Sequence, residues 1–206
     1  MAESRSARKH RAIVDAATEL FRRDGYRGTS MDAVAKEAAV SKQTVYAHFA
    51  DKQALFTAIV EGTLDRAGGR TRTEIDGLRD TADLAADLRE LARRYLEAVM
   101  RPEVLDLRRM IIGEAAAQPE LARTYYERAP ESTLAALTET FGHLAGRGLL
   151  RVAEPRVAAG HFAFLVLGLP LDKALFVVGG SPFTPAELRA HADAAVTAFL
   201  AAYAPA

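Results

Sequence analysis

Residues 32–49 read DAVAKEAAVSKQTVYAHF, and the spacing of their apolar positions divides them into two short amphipathic helices around a turn at Ala39-Val40-Ser41. Val34, Ala35 and Ala38, with Met31 just upstream, fall on one side of the first helix. Thr29 or Ser30 can cap it by accepting hydrogen bonds from its unpaired N–H groups. Ser41 supplies the same cap to the second helix, in which Val45 and Phe49 form an i, i+4 apolar pair. Val34, Ala38, Val40, Val45 and Phe49 would lock the two helices together and turn Lys42, Gln43, Thr44, Tyr46, Ala47 and His48 outward. These are the proportions of a helix-turn-helix, whose second helix enters the major groove of DNA. An outward face carrying an amide, a hydroxyl, a phenol and a small methyl suits base edges and phosphates. Two short amphipathic helices alone are ordinarily no more than packing, so the reading depends on what surrounds them.

Upstream, Ile13, Ala17, Leu20 and Phe21 stand at i, i+4, i+7 and i+8, one apolar helix face, and Gly25 supplies a stop. Downstream, Asp51 caps a helix carrying Leu55, Phe56, Ile59 and Val60, which Gly68 and Gly69 weaken near its end. The charged stretch to about Asp83 is the best candidate boundary, with a continuous helix through it as the alternative. From Leu84 the pattern is again helical and Ala- and Leu-rich, with punctuation at Pro102, Pro119, Pro130, Gly146 to Gly148, Pro155, Gly179 to Pro182 and Pro185. The expectation is an all-α fold of about nine helices with no strand, no internal repeat and no low-complexity tract.

With 206 residues, 50% of them hydrophobic and 26% charged, the chain can bury a sizeable core of one or two domains. The start is polar and carries Arg5, Arg8, Lys9 and Arg11, which is unlike a secretion signal. The chain has no cysteine, which excludes disulfides, thiolate nucleophiles and Cys-based metal sites and fits a reducing cytoplasm. A net charge of zero conceals a bias: residues 1–60 hold 10 Lys+Arg against 7 Asp+Glu, and the remainder 17 against 20. The five histidines are dispersed, and His143 with His161 and Asp172 or His191 shows no ligand spacing, so neither a metal nor a cofactor is expected. No Gly-rich phosphate loop, Gly-x-Ser-x-Gly elbow or His-Glu-x-x-His occurs, so no enzyme and no catalytic residue is expected. The unbroken apolar run at 162–171 is interrupted by Asp172 and Lys173 and is too short to cross a bilayer; a buried interface helix is the reading.

Ala17, Leu20-Phe21, Gly25, Thr29, Val34-Ala35, Ala38-Ala39-Val40-Ser41, Val45-Tyr46, His48-Phe49, Lys52 and Leu55 together resemble the DNA-binding part of TetR-family transcriptional regulators. The resemblance implies a helix-turn-helix domain over residues 1–60 and a ligand-binding and dimerisation domain over residues 61–206. It implies that Thr29 or Ser30, Tyr46, His48 and Lys52 hold phosphates, while Gln43 and Thr44, with Ser41 and Lys42 beside them, read or approach bases. Two departures stand out. Ala39 occupies a turn position where the family often has Gly, which costs about 1 to 2 kcal/mol if the backbone there is left-handed. Gln43 stands where members often have Gly, which makes base reading by this side chain possible, most often of adenine.

Residues 84–203 resemble, more loosely, the C-terminal domain of the AefR-like group of that family. The likeness rests on Pro102-Glu103-Val104-Leu105, Arg108-Arg109, Glu114, Pro119-Glu120-Leu121-Ala122, Tyr126-Glu127, Pro130, Arg147-Gly148 with Leu150-Arg151, and the stretch 194–203. Glu154 departs from it, since the group often has Asp before Pro155 and Glu is the poorer cap. Leu188, Ala192, Ala195, Val196, Phe199 and Tyr203 share a face and residues 162–175 are apolar nearly all round. The resemblance pairs helices around 156–178 and 185–203 with their copies in a homodimer; an intramolecular core is the alternative. Tyr95, Met100, Leu105, Arg108, Ile112, Tyr126, His161 and Phe164 are the candidates to line an effector pocket, with Arg109 and Tyr125 near them. The implied activity is operator binding by a repressor, released when an unknown small molecule binds and shifts the helix that begins at Asp51; an activator would have the same sequence features. The implied place of work is the cytoplasm, with no membrane partner.

Overall fold

The structure is a computed structural model that describes the backbone of residues 4–205 and the side chains of those residues other than 64 and 66–70. Among the described residues there are ten α-helices and no strand, one helix more than the periodicity predicts. They are α1 Arg5–Gly28, α2 Met31–Glu37, α3 Lys42–His48, α4 Lys52–Gly77, α5 Leu84–Val99, α6 Pro102–Glu114, α7 Pro119–Tyr126, α8 Ser132–Gly146, α9 Pro155–Phe176 and α10 Pro185–Tyr203. Helix α4 continues into the charged stretch that the sequence offers as a boundary and ends at Gly77, before a single 3-10 turn, Leu78–Asp80. Pro130 lies in a single π-helical turn, Glu127–Glu131, between α7 and α8.

The contacts divide the chain into two compact units, residues 1–63 with 106–123, and residues 64–105 with 124–206. In the first unit the apolar faces predicted from spacing are the buried ones: Ile13, Ala17, Leu20 and Phe21 of α1, Met31, Val34 and Ala35 of α2, Val45 of α3, and Leu55, Phe56, Ile59 and Val60 of α4. Phe21, Tyr26 and Phe56 meet with centroid separations of 5.0 to 5.6 Å, each such aromatic pair adding about 0.5 to 1.5 kcal/mol beyond its buried area. Gly25 is left-handed at φ +72°, which interrupts α1 and lets Tyr26 fold back onto Phe21. Burial of the Tyr26 ring pushes its phenol above the ordinary range, with Asp51 and Glu114 adding to the effect.

In the second unit, Phe141 of α8, Phe162 of α9 and Phe199 of α10 are fully buried and pack within 5.2 to 5.6 Å of one another. Leu88, Leu91 and Leu96 of α5 belong to the same core. Arg93 of α5 forks onto Asp193 of α10 at 2.8 and 2.7 Å. Helix α10 starts in a full capping box, Thr184 with Glu187, as its Thr-Pro-Ala-Glu sequence dictates. Helix α9 begins at Pro155 with no side-chain cap from Glu154.

Helix α9 is longer than the apolar run in the sequence, because it begins at Pro155 and continues past Asp172 and Lys173 to Phe176. By length and composition it is the one helix among the described residues that could cross a membrane. Its two sides differ. Ala158, Ala159, Phe162, Val166, Pro170 and Ala174 are buried, whereas Phe164, Leu169 and Phe176 are 79%, 68% and 81% exposed.

Candidate nucleic-acid interface

The interface is assembled from caps outward. Ser30 accepts from the Ala33 N–H at 3.1 Å and starts α2, and Ser41 accepts from the Thr44 N–H at 3.1 Å and starts α3. Between them Ala39 has φ +51°, the left-handed turn conformation that glycine adopts more readily. The chain accepts it because the turn closes a backbone bond, Val40 N–H to Ala35 C=O at 3.0 Å. Val34 and Val45 are fully buried and Phe49 nearly so, which fixes α3 against α2 in the expected register.

The side chains named from the sequence then separate into two groups. Gln43, Tyr46 and Ala47 are exposed along α3, with Thr44 and His48 half-buried beside them. The Thr44 hydroxyl shares a hydrogen bond with Ser41 at 2.8 Å. His48 meets the His10 ring edge-on, centroids 5.7 Å apart, so α1 steadies the end of α3. Lys42 is paired with Asp32 at 2.8 Å, which raises its pKa above the ordinary lysine value and partly neutralises it.

Thr29 and Lys52 face inward. Thr29 is 3% exposed and its hydroxyl donates to the Gly25 carbonyl at 2.9 Å. The Lys52 ammonium donates to the carbonyls of Tyr26 and Thr29 at 2.9 and 3.0 Å and lies 4.4 Å from the centre of the Tyr26 ring. It ties the start of α4 to the turn that ends α1. Alongside α3 runs an open concavity of about 460 Å³ walled by Arg5, Ser6 and Lys9 of α1 and by Gln43, Thr44, Ala47 and His48 of α3. Sequence reasoning missed the three α1 residues. The i, i+4 basic spacing of Arg5 and Lys9 was visible; their neighbours on α3 were not.

The candidate effector residues do not form one group. Tyr95, Met100 and Leu105 lie in the core of the second unit. In the same unit the His161 imidazole bonds the Tyr203 hydroxyl at 2.6 Å, Phe164 points outward and Tyr126 is 56% exposed. Arg108 and Ile112 belong to the first unit, Arg108 half-buried and Ile112 exposed. Arg109, next to Arg108, is held by Asp106 at 2.7 Å. No group of three or more His, Cys, Asp or Glu that could hold a metal occurs among the described residues.

Comparison with known proteins agrees with this geometry. Residues 13–59 match the family described as bacterial regulatory proteins, tetR family, and residues 86–205 match the AefR-like transcriptional repressor, C-terminal domain. The HTH-type transcriptional regulator UidR of Escherichia coli (strain K12) is 41% identical over 66 residues, 32% of this chain and 34% of that protein. The chain thus spans about a third of the length of that curated relative. A crystal structure of a candidate TetR-family transcriptional regulator from Mesorhizobium loti MAFF303099 superposes with a TM-score of 0.89 at 42% identity, covering 98% of this chain and 100% of the other. The flavonoid-responsive regulator FrrA superposes with a TM-score of 0.72 at 35% identity over 96% of this chain and 98% of its own. The chain belongs to the tetR family of bacterial regulatory proteins, with an AefR-like C-terminal domain.

Proposed function

We propose that this protein is a cytoplasmic transcriptional repressor, not an enzyme, whose residues 1–60 bind operator DNA and whose residues 61–206 dimerise and take up a small-molecule effector. The observation that carries the reading is α3 itself: a capped helix pinned by Val45 and Phe49 that leaves Gln43, Tyr46 and Ala47 open to solvent. Gln43 and Thr44, with Ser41 beside them, approach base edges; Tyr46 and His48, with Ser30 at the start of α2, hold phosphates. Thr29 and Lys52 act behind them by shaping the α1 turn, and Lys42 reaches DNA only by leaving Asp32.

The homodimer forms through α9 and α10, supported by the large apolar side chains that α9 exposes in a single chain. Two-fold symmetry then sets the recognition helices about 34 to 36 Å apart, one turn of DNA. The effector is taken up beside Tyr95, Met100 and Leu105, which pack in the second unit's core. The name of FrrA supports small-molecule control. Effector binding moves α4, which alters the spacing of the recognition helices and releases DNA.

Fluorescence anisotropy tests this, with duplex DNA from upstream of the protein's own gene against scrambled duplex across a salt series. Tight, salt-sensitive and sequence-selective binding is expected. Equal and weak binding to both duplexes counts against operator recognition at that site. Linkage requires an effector that releases DNA to bind less tightly to the DNA-bound protein; equal affinity for both forms would rule the release mechanism out.

A further inference from the structure

Arg5 and Lys9 sit four residues apart on α1, both exposed, and both wall the concavity whose other side is the outward face of α3. Neither has an ion-pair or hydrogen-bond partner among the described residues, whereas Arg22, Arg23 and Lys42 in the same unit are paired with Glu19, Asp24 and Asp32. Their position is also unfavourable for the helix. The first turn of α1 has no acidic residue and begins with Arg5, although the positive end of a helix dipole favours anions there. Two cations with no partner among the described residues, facing the groove that Gln43, Thr44, Ala47 and His48 enclose, are free to take an anion from outside the chain.

We infer that this groove seats the sugar-phosphate strand bordering the major groove that α3 enters, with Arg5 and Lys9 clamping phosphates on the side opposite Gln43. The inference rests on the DNA-binding reading and deepens it. The groove is open along α3 rather than closed, which fits a continuous strand better than a small free anion. Its polar wall is shared with the base-reading face, so one strand meets Arg5 and Lys9 with its phosphates while the adjoining base edges meet Gln43 and Thr44. Both cations bind backbone, so they position α3 and add affinity without choosing sequence. Arg8, three residues from Arg5, lies outside the groove wall and serves as the internal control.

The test is anisotropy of wild type, Arg5→Ala/Lys9→Ala and Arg8→Ala with the upstream and scrambled duplexes over a salt series, with thermal midpoints showing that all three are folded. The double variant is expected to lose tenfold or more in affinity for both duplexes near physiological salt. The slope of log affinity against log salt should become shallower by about 0.9 for each phosphate that the variant no longer neutralises. Arg8→Ala should change both much less. Wild-type binding with an unchanged slope in the double variant, or an equal loss in Arg8→Ala, overturns the groove and leaves the DNA reading standing. A wild type with no salt-sensitive binding to either duplex overturns both.

Discussion

At Ala39 a single methyl group opposes the turn that sets the angle between α2 and α3. With φ at +51°, the position favours glycine, and Ala39→Gly is expected to raise stability by about 0.5 to 1 kcal/mol, part of the relief being offset by the freer unfolded chain. Urea unfolding should show a higher midpoint at unchanged slope. Lys52 presents the opposite case, a side chain whose family likeness pointed to phosphate but two of whose three donors are used by the Tyr26 and Thr29 carbonyls. Lys52→Ala is expected to lower stability by about 1 to 2 kcal/mol, and any loss of DNA affinity should follow from a loosened α1 turn. A normal unfolding midpoint with weakened binding would instead return Lys52 to direct contact. Gln43→Ala should relax base preference by about 1 to 3 kcal/mol while leaving the salt slope unchanged; unaltered selectivity removes Gln43 from the reading set. The caps and the apolar faces were legible at this scale because each depends on neighbours within four residues. The partners of Lys52 were not, lying 23 and 26 residues away.

Helices that begin with good caps and helices that begin without them stand side by side in the second unit. Thr184 and Glu187 close a capping box at α10, while α9 starts with Glu154 making no side-chain bond. Glu154→Asp is therefore expected to stabilise the chain by up to about 1 kcal/mol, read as a higher urea midpoint; no gain would mean that Pro155 alone sets the start. Between elements, Arg93 of α5 holds the Asp193 carboxyl of α10 below its ordinary value of 3.8, chiefly through their hydrogen bonds. A carboxyl lowered in the folded state contributes stability above that ordinary value and loses it as pH falls through the lower folded one. Both side chains are more than a third exposed, at 38% and 36%, so the contribution is small, under about 1 kcal/mol. Asp193→Asn should flatten this part of the stability curve below about pH 4 and leave the curve's shape at pH 6 to 8 unchanged.

For the whole molecule, what matters is which apolar surface a single chain leaves open. Phe164, Leu169 and Phe176 are exposed on α9, a helix whose other side is core. Phe164→Glu combined with Leu169→Glu should weaken the proposed dimer by about 100-fold or more, seen by sedimentation as monomer at micromolar concentration, with operator affinity falling in step. A variant that stays dimeric would move the interface away from this face. The composition of the first unit is also decided at this scale, because residues 106–123 join residues 1–63, with Arg27 near Glu114 at 3.7 Å.

The order of residues was enough to establish that the chain is all-helical, where α3 starts and ends, and which side chains pin it. Helical period, N-caps and proline or glycine stops are local signals, complete within one or two turns. Folding in three dimensions was needed to turn Thr29 and Lys52 inward, to pair Lys42 with Asp32, and to bring Arg5 and Lys9 into a groove with Gln43. The one-sided burial of the apolar α9 belongs with these. Such outcomes depend on side chains brought together across many residues of chain, where charge pairing and burial are set by spatial neighbours that periodicity does not encode.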